Sequence, residues 1–297
     1  MKDLFNQVVK AGKVYTDEPM KNHTSFKTGG PADVFVTPGN ESELAEVIAL
    51  CKRKNIRFYV VGNGSNLLVP DDGYRGAIIK IGRDFADISA DGETITAGAG
   101  ALLSKVASVA LSNSLTGFEF AAGIPGSVGG AIAMNAGAYG GEMKDVVVSV
   151  RLMDYDGTIH TLLCDEMNFG YRHSILSEGD YIVLSTDIRL KKGEYEQIKA
   201  YMKELADRRK EKQPLEYPSA GSTFKRPEGY FAGKLIMDAG LAGYTVGGAM
   251  VSPKHCGFVI NAGNATSSDI IKLMEDVKKT VQDKYDVTLE PEVKILR

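Results

Sequence analysis

The sequence has little of what disulfide-stabilised proteins and metalloproteins need. Its three cysteines, Cys51, Cys164 and Cys256, are an odd number, lie far apart and form no Cys-x-x-Cys pair. That pattern indicates free thiols in a reducing compartment. The four histidines have no Cys or carboxylate neighbours at metal-binding spacing. We therefore predict that the protein holds no metal.

Long apolar runs and an excess of positive charge are also missing. No stretch approaches the roughly 18 consecutive apolar residues that a membrane-spanning helix needs, and charged residues interrupt any signal-like apolar core at the start of the chain. The formal net charge is −3 over 297 residues, which gives no overall attraction to nucleic acid or to an anionic membrane. We expect a cytoplasmic protein with no nucleic-acid partner, no membrane insertion and no evident obligate protein partner.

The pattern of apolar residues predicts a protein of mixed helices and strands. Residues 40–43 resemble a capping box before an amphipathic helix, and RFYVVG after it is typical of a buried strand. Asp91-Gly92 and Asp156-Gly157 each separate two β-rich runs, which predicts hairpin turns. Helical periodicity recurs in four later segments, residues 101–114, 194–210, 231–239 and 268–284, the last with Ser267 or Ser268 as its cap.

Changes in this pattern along the chain predict three lobes. A chain of 297 residues is long for a single core. The helix, strand and glycine turn near the start predict an α/β lobe, and strand patterns dominate the middle. After the charge run RRKEKQP, helices dominate again. The predicted lobes are residues 1–82, 83–191 and 192–297.

Two loops are built from small residues, VVGNGSNLLV at 60–69 and AAGIPGSVGGAIAMNAGAYGGE at 121–142. Seven of the residues from 121 to 141 are Gly and six are Ala. Few side chains therefore block the main chain, whose N–H groups can face a phosphate or a flat ring. The pattern favours a large anionic cofactor, with close packing of helices or strands as the alternative.

The first loop is ambiguous by itself. Gly62-Asn63-Gly64 after a strand imitates a Rossmann fingerprint, but position 67 is Leu where the third glycine belongs. Both a tight strand-to-loop turn and a nest of N–H groups for a diphosphate fit these residues. Only the pairing with the second loop favours the nest.

Three short motifs supply a hydroxyl, a carboxylate and a guanidinium. Ser222 lies in GSTFKRP, Glu292 in LEPEVKIL and Arg172 in FGYRHS. The set suits reduction of an activated double bond, because hydride addition leaves a carbanion-like carbon that needs a cation to hold charge and an acid to protonate it. Taken singly, each residue has a simpler explanation: a turn serine, a surface ion pair and a solvent-facing carboxylate.

In order, six motifs resemble the UDP-N-acetylenolpyruvoylglucosamine reductases, the MurB family: HTSFKTGGPAD, VVGNGSNLLV, GIPGSVGGAIAMNAGAYGGE, FGYRHS, AGSTFKRP and LEPEVKIL. The resemblance is to the shorter form of the family, which lacks an inserted loop that brings a tyrosine over the substrate. It implies an α+β protein. Its FAD-binding fold would have two α/β lobes of the PCMH/vanillyl-alcohol-oxidase type, followed by a C-terminal α+β substrate domain.

The resemblance also implies a flavoenzyme of peptidoglycan precursor synthesis, with noncovalent FAD and with NADPH as co-substrate. NADPH would reduce FAD, and the enolpyruvyl UDP-sugar would then accept the hydride and a proton to give UDP-N-acetylmuramate. Two alternatives stay open at this point. The chain could be a flavin oxidase or dehydrogenase with another substrate, or a noncatalytic module that binds FAD or a UDP-sugar.

Carried onto this sequence, the family's proton donor corresponds to Ser222, and its partners for the substrate carboxylate correspond to Arg172 and Glu292. An ionised Glu292 would repel the developing charge, so it fits if it is protonated, if it polarises a water, or if it orients Arg172. Lys225 would face the UDP diphosphate, and Arg226 stands where many relatives carry Asn. The implied FAD contacts are Gly62, Asn63, Gly64, Ser65 and Asn66 in the first loop and Gly123, Ile124, Ser127, Gly129 and Gly130 in the second.

Overall fold

The computed structural model describes residues 1–296, along which helices are interspersed with groups of strands. The helices are α1 (Lys2–Val8), α2 (Glu41–Arg53), α3 (Leu103–Ser112), α4 (Val128–Ala133), α5 (Tyr195–Lys212), α6 (Ala232–Asp238) and α7 (Ser267–Tyr285). The strands are β1 (Lys13–Pro19), β2 (Pro31–Thr37), β3 (Phe58–Val61), β4 (Leu67–Leu68), β5 (Tyr74–Lys80), β6 (Ile88–Asp91), β7 (Thr94–Gly98), β8 (Leu115–Thr116), β9 (Gly137–Ala138), β10 (Gly141–Glu142), β11 (Val147–Asp154), β12 (Ile159–Leu163), β13 (Tyr181–Arg189), β14 (Lys191–Lys192), β15 (Thr245–Val246), β16 (Ala249–Val251), β17 (Val259–Asn261) and β18 (Lys294–Ile295). The predicted helices and the mixed α+β class are confirmed.

Most of the longer strands belong to two sheets. One has the order β1-β2-β5-β3, and the other is antiparallel with the order β12-β11-β13-β7-β6. The two predicted hairpins are confirmed, because Asp91-Gly92 joins β6 to β7 and Asp156-Gly157 joins β11 to β12. Both glycines have positive φ, +59° and +86°, which hairpin turns require and which glycine adopts without strain.

Contacts divide the described chain into two compact units. The first unit consists of Met1–Thr16, Val34–Asn63 and Gly76–Arg209. The second consists of Asp17–Asp33, Gly64–Arg75 and the chain from Lys210 onward. Each unit buries its own apolar core. The predicted division into three lobes, with ends at residues 82 and 191, stays a prediction.

The start of α7 differs from the prediction. Thr266, rather than Ser267 or Ser268, is the cap, and its hydroxyl accepts a hydrogen bond from the Asp269 N–H at 3.0 Å. Ser267 and Ser268 instead donate their N–H groups to the carboxylate of Asp71, at 2.7 and 2.9 Å. An acceptor nearly two hundred residues away in the sequence satisfies these helix-end donors, so local sequence rules do not find it.

None of the helices found in residues 1–296 combines the length and the apolar character that crossing a membrane requires. Within the same residues, no group of three or more His, Cys, Asp and Glu side chains is placed to hold a metal ion.

Candidate active site and cofactor site

The main chain is fixed on both sides of Ser222, while the Ser222 hydroxyl makes no hydrogen bond to the described residues. Gly221 before it has φ of +76°, a conformation that favours glycine. Thr223 after it is fully buried, donates its N–H to the Gly257 carbonyl at 2.9 Å, and accepts the Val259 N–H on its hydroxyl at 2.8 Å. The Ser222 hydroxyl makes no hydrogen bond to residues 1–296. The main chain that carries Ser222 is therefore fixed, and the proton of its hydroxyl is not used in a hydrogen bond to the described residues.

Main-chain hydrogen bonds bring the Ser222 and Glu292 segments together in the second unit. The Glu292 N–H donates to the Thr223 carbonyl at 2.9 Å, and the Lys225 N–H donates to the Glu290 carbonyl at 2.8 Å. The two motifs therefore run side by side as a short antiparallel pair. Sequence patterns alone could not show this pairing, because the two motifs lie about seventy residues apart.

Asn66, a predicted cofactor contact, is bonded to the Glu292 segment. Its side-chain amide donates to the Glu292 carbonyl at 3.0 Å, and its own carbonyl accepts the Lys294 N–H at 3.0 Å. The second bond continues into the parallel pairing of β4 with β18. The side chain of Asn66 therefore helps to fix the main chain of Glu292.

Arg172 belongs to the first unit and has an unusual backbone. Its φ is +55°, a left-handed conformation that costs a non-glycine residue about 1 kcal/mol or more. The turn around it is closed by two main-chain hydrogen bonds between Gly170 and His173, at 3.1 and 3.3 Å. The guanidinium lies 5.0 Å from the centroid of the half-exposed Tyr171 ring. Strained backbone of this kind is concentrated at functional sites.

A buried asparagine from the second glycine-rich segment supports the turn that carries Arg172. Asn135 is 1% exposed, and its side-chain amide donates to the Gly170 carbonyl at 3.1 Å and to Glu142 at 2.9 Å. The hydrogen bond from Lys144 and the charge of Arg172 hold the pKa of the Glu142 carboxyl below its ordinary value. The sequence analysis did not identify Asn135 or Glu142, although both lie in the motif NAGAYGGE.

The part of the first glycine-rich loop that ends at Asn63 meets the second loop within the first unit, and the rest of the first loop, from Gly64, belongs to the second unit. The Asn63 side chain donates to the Pro125 carbonyl at 2.7 Å. A Cβ at position 62 would lie 2.3 Å from the Ser127 hydroxyl, so any other residue there would force this hydroxyl to move. Ser127 is 2% exposed, and its hydroxyl has no hydrogen-bond partner in the described chain. A buried polar atom without a protein partner is unusual and favours a ligand contact.

Other predicted loop residues have packing explanations. The Gly129 N–H donates to the Ala99 carbonyl at 2.8 Å, and a Cβ there would lie 3.1 Å from the Ala99 side chain. The N–H of Ile124 donates to the Ala121 carbonyl at 3.0 Å. These two N–H groups are therefore occupied within the protein. The predicted residues Gly123 and Gly130 are exposed, and Ser65 is half-buried.

A cavity of about 710 Å³ lies in the first unit beside both loops. Gly62, Asn63 and Ser127 line it, together with residues of α3 and the end of β5. Its volume is in the usual range for cofactor sites. Three features suit FAD: the cavity, the absence of a side chain at Gly62, and the Ser127 hydroxyl without a protein partner in the described chain.

Arg209 belongs to a basic run that looks like a solvated helix end in the sequence, yet it is half-buried. Its Nη1 lies 3.2 Å from where a Cβ of Gly123 would stand. Burial lowers the pKa of this guanidinium, and the nearby Tyr139 acts in the opposite direction. It has no ion-pair partner among residues 1–296, whereas Arg208 pairs with Glu204 at 2.5 Å. A cation therefore faces the second glycine-rich loop.

The two predicted nucleotide contacts make different interactions. The Lys225 ammonium lies 3.2 Å from the Glu290 carboxylate. The Arg226 guanidinium lies 3.9 Å from the centroid of the exposed Phe231 ring. Stacking of this kind leaves an exposed, planar cation beside an aromatic ring. Both residues belong to the second unit, with Ser222 and Glu292.

We expect Gly64→Ala to destabilise the protein more than a left-handed alanine alone explains. Gly64 has φ of +63°, and a Cβ there would lie 1.9 Å from the His23 carbonyl oxygen. Gly243 in the same unit has φ of +75° with open space around it. We expect Gly243→Ala to cost about 1 kcal/mol and Gly64→Ala about 2 kcal/mol more, measured by denaturant unfolding. Equal losses of unfolding free energy in Gly64→Ala and Gly243→Ala would show that the close approach to the His23 carbonyl does not matter.

Comparison with known proteins gives a consistent result. Residues 213–296 match the model of the UDP-N-acetylenolpyruvoylglucosamine reductase C-terminal domain, and residues 32–163 match that of an FAD binding domain. A UDP-N-acetylenolpyruvoylglucosamine reductase from Caldanaerobacter subterraneus subsp. tengcongensis is 56% identical over 294 residues, which cover 99% of this chain and 97% of the relative. One from Clostridioides difficile is 53% identical, with 99% and 96% covered.

Solved structures agree. The UDP-N-acetylenolpyruvylglucosamine reductase (MurB) of Thermus caldophilus aligns with a TM-score of 0.82 and 35% identity, covering 96% of this chain and 99% of the other. Wild-type Phl p 4.0202, a glucose dehydrogenase, aligns with a TM-score of 0.51 and 20% identity, covering 65% and 44%. At that identity the second likeness concerns the fold alone.

Proposed function

This chain belongs to the UDP-N-acetylenolpyruvoylglucosamine reductase family, and from that premise we propose which of its residues carry out the reaction. It is an FAD-dependent oxidoreductase that reduces the enolpyruvyl UDP-sugar to UDP-N-acetylmuramate with NADPH, in peptidoglycan synthesis. The predicted family, fold class and cofactors are confirmed. FAD, when bound, carries hydride from NADPH to the enolpyruvyl group.

We propose that Ser222 donates the proton to the carbon beside the one that receives hydride. The observation that carries this proposal is the antiparallel pairing of main chains that holds the Ser222 motif, with its unbonded hydroxyl, beside the Glu292 segment. A serine hydroxyl is a weak acid, yet it suffices for a strongly basic carbanion-like carbon held against it. Gly221 and Thr223 fix the main chain around Ser222, which reduces the reorganisation needed during proton transfer.

We propose that Arg172 binds the substrate carboxylate and holds the negative charge that develops next to it. A guanidinium offers a planar pair of donors that matches a carboxylate. Asn135 supports the turn through the Gly170 carbonyl, and the Glu142 carboxylate acts on Arg172 through its charge. The left-handed backbone of Arg172 then sets the direction of the side chain.

Glu292 has two roles open to it in this proposal. As a neutral acid it would donate a hydrogen bond to the substrate carboxylate; as a carboxylate it would orient Arg172 or polarise a water. Its main chain is fixed at both ends, since its N–H donates to Thr223 and its carbonyl accepts from Asn66. That anchoring suits a side chain whose position matters in either role.

We propose that FAD contacts the two loops, with Gly62, Asn63 and Ser127 nearest the cavity and Gly123 beside Arg209. Lys225 and Arg226 would meet the UDP part of the substrate, because both cations lie in the same motif as Ser222. We also propose that the protein acts in the cytoplasm without an obligate protein partner and supports cell shape and division. Its three free thiols suit a reducing compartment.

An anaerobic visible spectrum tests the proposal. We expect NADPH to bleach the oxidised flavin band, and the enolpyruvyl UDP-sugar to restore it. A Glu292→Gln variant in the same assay separates the two roles of Glu292. If the acid is neutral, the amide keeps a hydrogen-bond donor and restores the band at a near wild-type rate; if charge is required, the rate collapses. A rate unchanged in both Glu292→Gln and Glu292→Ala would contradict any role for Glu292.

A further inference from the structure

Lys80 interrupts an otherwise apolar strand end. It is the last residue of β5, in the run GAIIKIG, where Ile79 is fully buried and Ile81 is 5% exposed. Lys80 itself is half-buried. A lysine at such a position has to desolvate much of its side chain, which costs free energy unless its ammonium meets an anion.

The protein supplies no anion for Lys80. The side chain makes neither an ion pair nor a hydrogen bond with any residue from 1 to 296. Burial lowers the pKa of its ammonium. Two other half-buried cations, Arg151 and Lys225, have carboxylate partners in Glu41 and Glu290, whereas Lys80, like Arg209, has none in the described chain. Lys80 is therefore a half-buried charge without a protein counter-ion.

The side chain lines the cavity that adjoins both glycine-rich loops. The charged lining consists of Lys80, Arg83 and Lys105 against one carboxylate, Asp87, so it is positive overall. The buried Ser127 hydroxyl, also without a partner, lines the same cavity. Two unsatisfied polar groups of one cavity, a cation and a hydroxyl, suit a ligand with anionic oxygens.

We propose that Lys80 is the cation that pairs with the diphosphate of FAD. The diphosphate is the part of FAD that carries permanent negative charge, and Gly62, Asn63 and Ser127 of the proposed FAD loops line the same cavity as Lys80. Pairing in a partly water-excluded cavity is stronger than at an exposed surface. The inference rests on the proposed placement of FAD on these loops, and not on the roles of Ser222, Arg172 and Glu292.

The test is the affinity of FAD-stripped protein for FAD, followed by flavin fluorescence. We expect Lys80→Met to weaken FAD binding by about 10- to 100-fold, the range for a charge-assisted hydrogen bond. Lys105→Gln removes the same charge from an exposed position of the same cavity and should change the affinity by about 3-fold at most. The salt dependence of FAD binding should also become shallower in Lys80→Met only.

Two measurements distinguish pairing with the FAD diphosphate from a purely structural role for Lys80. Riboflavin has no phosphate, so if Lys80 pairs with the diphosphate, riboflavin should bind the wild type and Lys80→Met with the same affinity. The FAD-free variant should unfold at the same temperature as the wild type or higher, because an uncompensated half-buried charge is gone. Equal weakening of riboflavin and FAD, or a lower unfolding temperature with loss of both, would overturn the proposal.

Ser127→Ala separates failure of this inference from failure of the FAD placement. Loss of one neutral hydrogen bond should weaken FAD binding by about 2- to 10-fold. If Ser127→Ala weakens FAD while Lys80→Met leaves it unchanged, the Lys80 inference is wrong and the loops still hold the cofactor. If neither variant alters FAD affinity, the placement of FAD beside this cavity is wrong as well.

Discussion

Ser222→Ala should leave the reduction of FAD by NADPH unchanged and slow reduction of the enolpyruvyl UDP-sugar by about 10²- to 10⁴-fold, the range for loss of a positioned general acid. The variant removes only an oxygen that bonds to no residue in the described part of the chain. Gly221, Thr223 and the pairing with the Glu292 segment use main-chain atoms and the Thr223 hydroxyl, so the fold should persist. The loss should therefore fall on one half-reaction.

Anaerobic stopped-flow absorbance measures the two half-reactions separately. Ser222→Cys is the matched variant, because a thiol of similar size is also a proton donor and should recover part of the lost rate. Thermal unfolding of the three proteins controls for folding. If Ser222→Ala turns over at the wild-type rate, Ser222 is not the proton donor. If both half-reactions slow equally, the change acts through the fold or through FAD binding.

Arg172→Ala should lower kcat/KM for the enolpyruvyl UDP-sugar by about 10²-fold or more, because a bidentate, charge-assisted contact to the carboxylate is lost. Arg172→Lys keeps a positive charge but not the planar fork, so it should fall between the wild type and Arg172→Ala. FAD affinity and the rate of flavin reduction by NADPH should change little. The measurement is steady-state kinetics with the sugar substrate as the varied component.

Arg172→Gly separates the guanidinium from the backbone it sits on. Arg172 has φ of +55°, where glycine is favoured over alanine by about 1 kcal/mol. Arg172→Gly should therefore be more stable to denaturant than Arg172→Ala, while the two lose the same activity. An active Arg172→Gly enzyme would show that the turn, and not the guanidinium, is what the reaction needs.

The local elements were determined by the sequence alone. Asn40 caps α2 by accepting the Glu43 N–H at 2.9 Å, as predicted, and both Asp-Gly pairs close hairpins. The other half of the predicted capping box is absent, because the Glu43 carboxylate accepts N–H groups from Gly39 and from residues 10–12 instead of from Asn40. The Asn40 cap and the two hairpin turns depend on residues within about four positions of one another, so the local sequence contains the interacting groups. The family was also identified from the sequence alone, by six motifs that occur in the family's order.

The long-range pairings needed the tertiary structure. The Ser222 and Glu292 motifs were both identified in the sequence, but their antiparallel pairing was not, and neither was the bond from Asn66 to the Glu292 carbonyl. The cap of α7 was predicted one or two residues late, at Ser267 or Ser268, and the N–H groups of these two serines instead use the distant carboxylate of Asp71. Such contacts depend on how distant segments pack, which short-range patterns do not encode.

Arg208 and Arg209 show most clearly what the sequence alone could not determine. In the sequence they are neighbours in one basic run, and the run is typical of a solvated helix end. Successive residues of a helix point about 100° apart, so Arg208 reaches Glu204 at the surface while Arg209 is half-buried against Gly123. Composition determined that both are cations, and only the packing of α5 decided which of them faces the loop proposed to hold FAD.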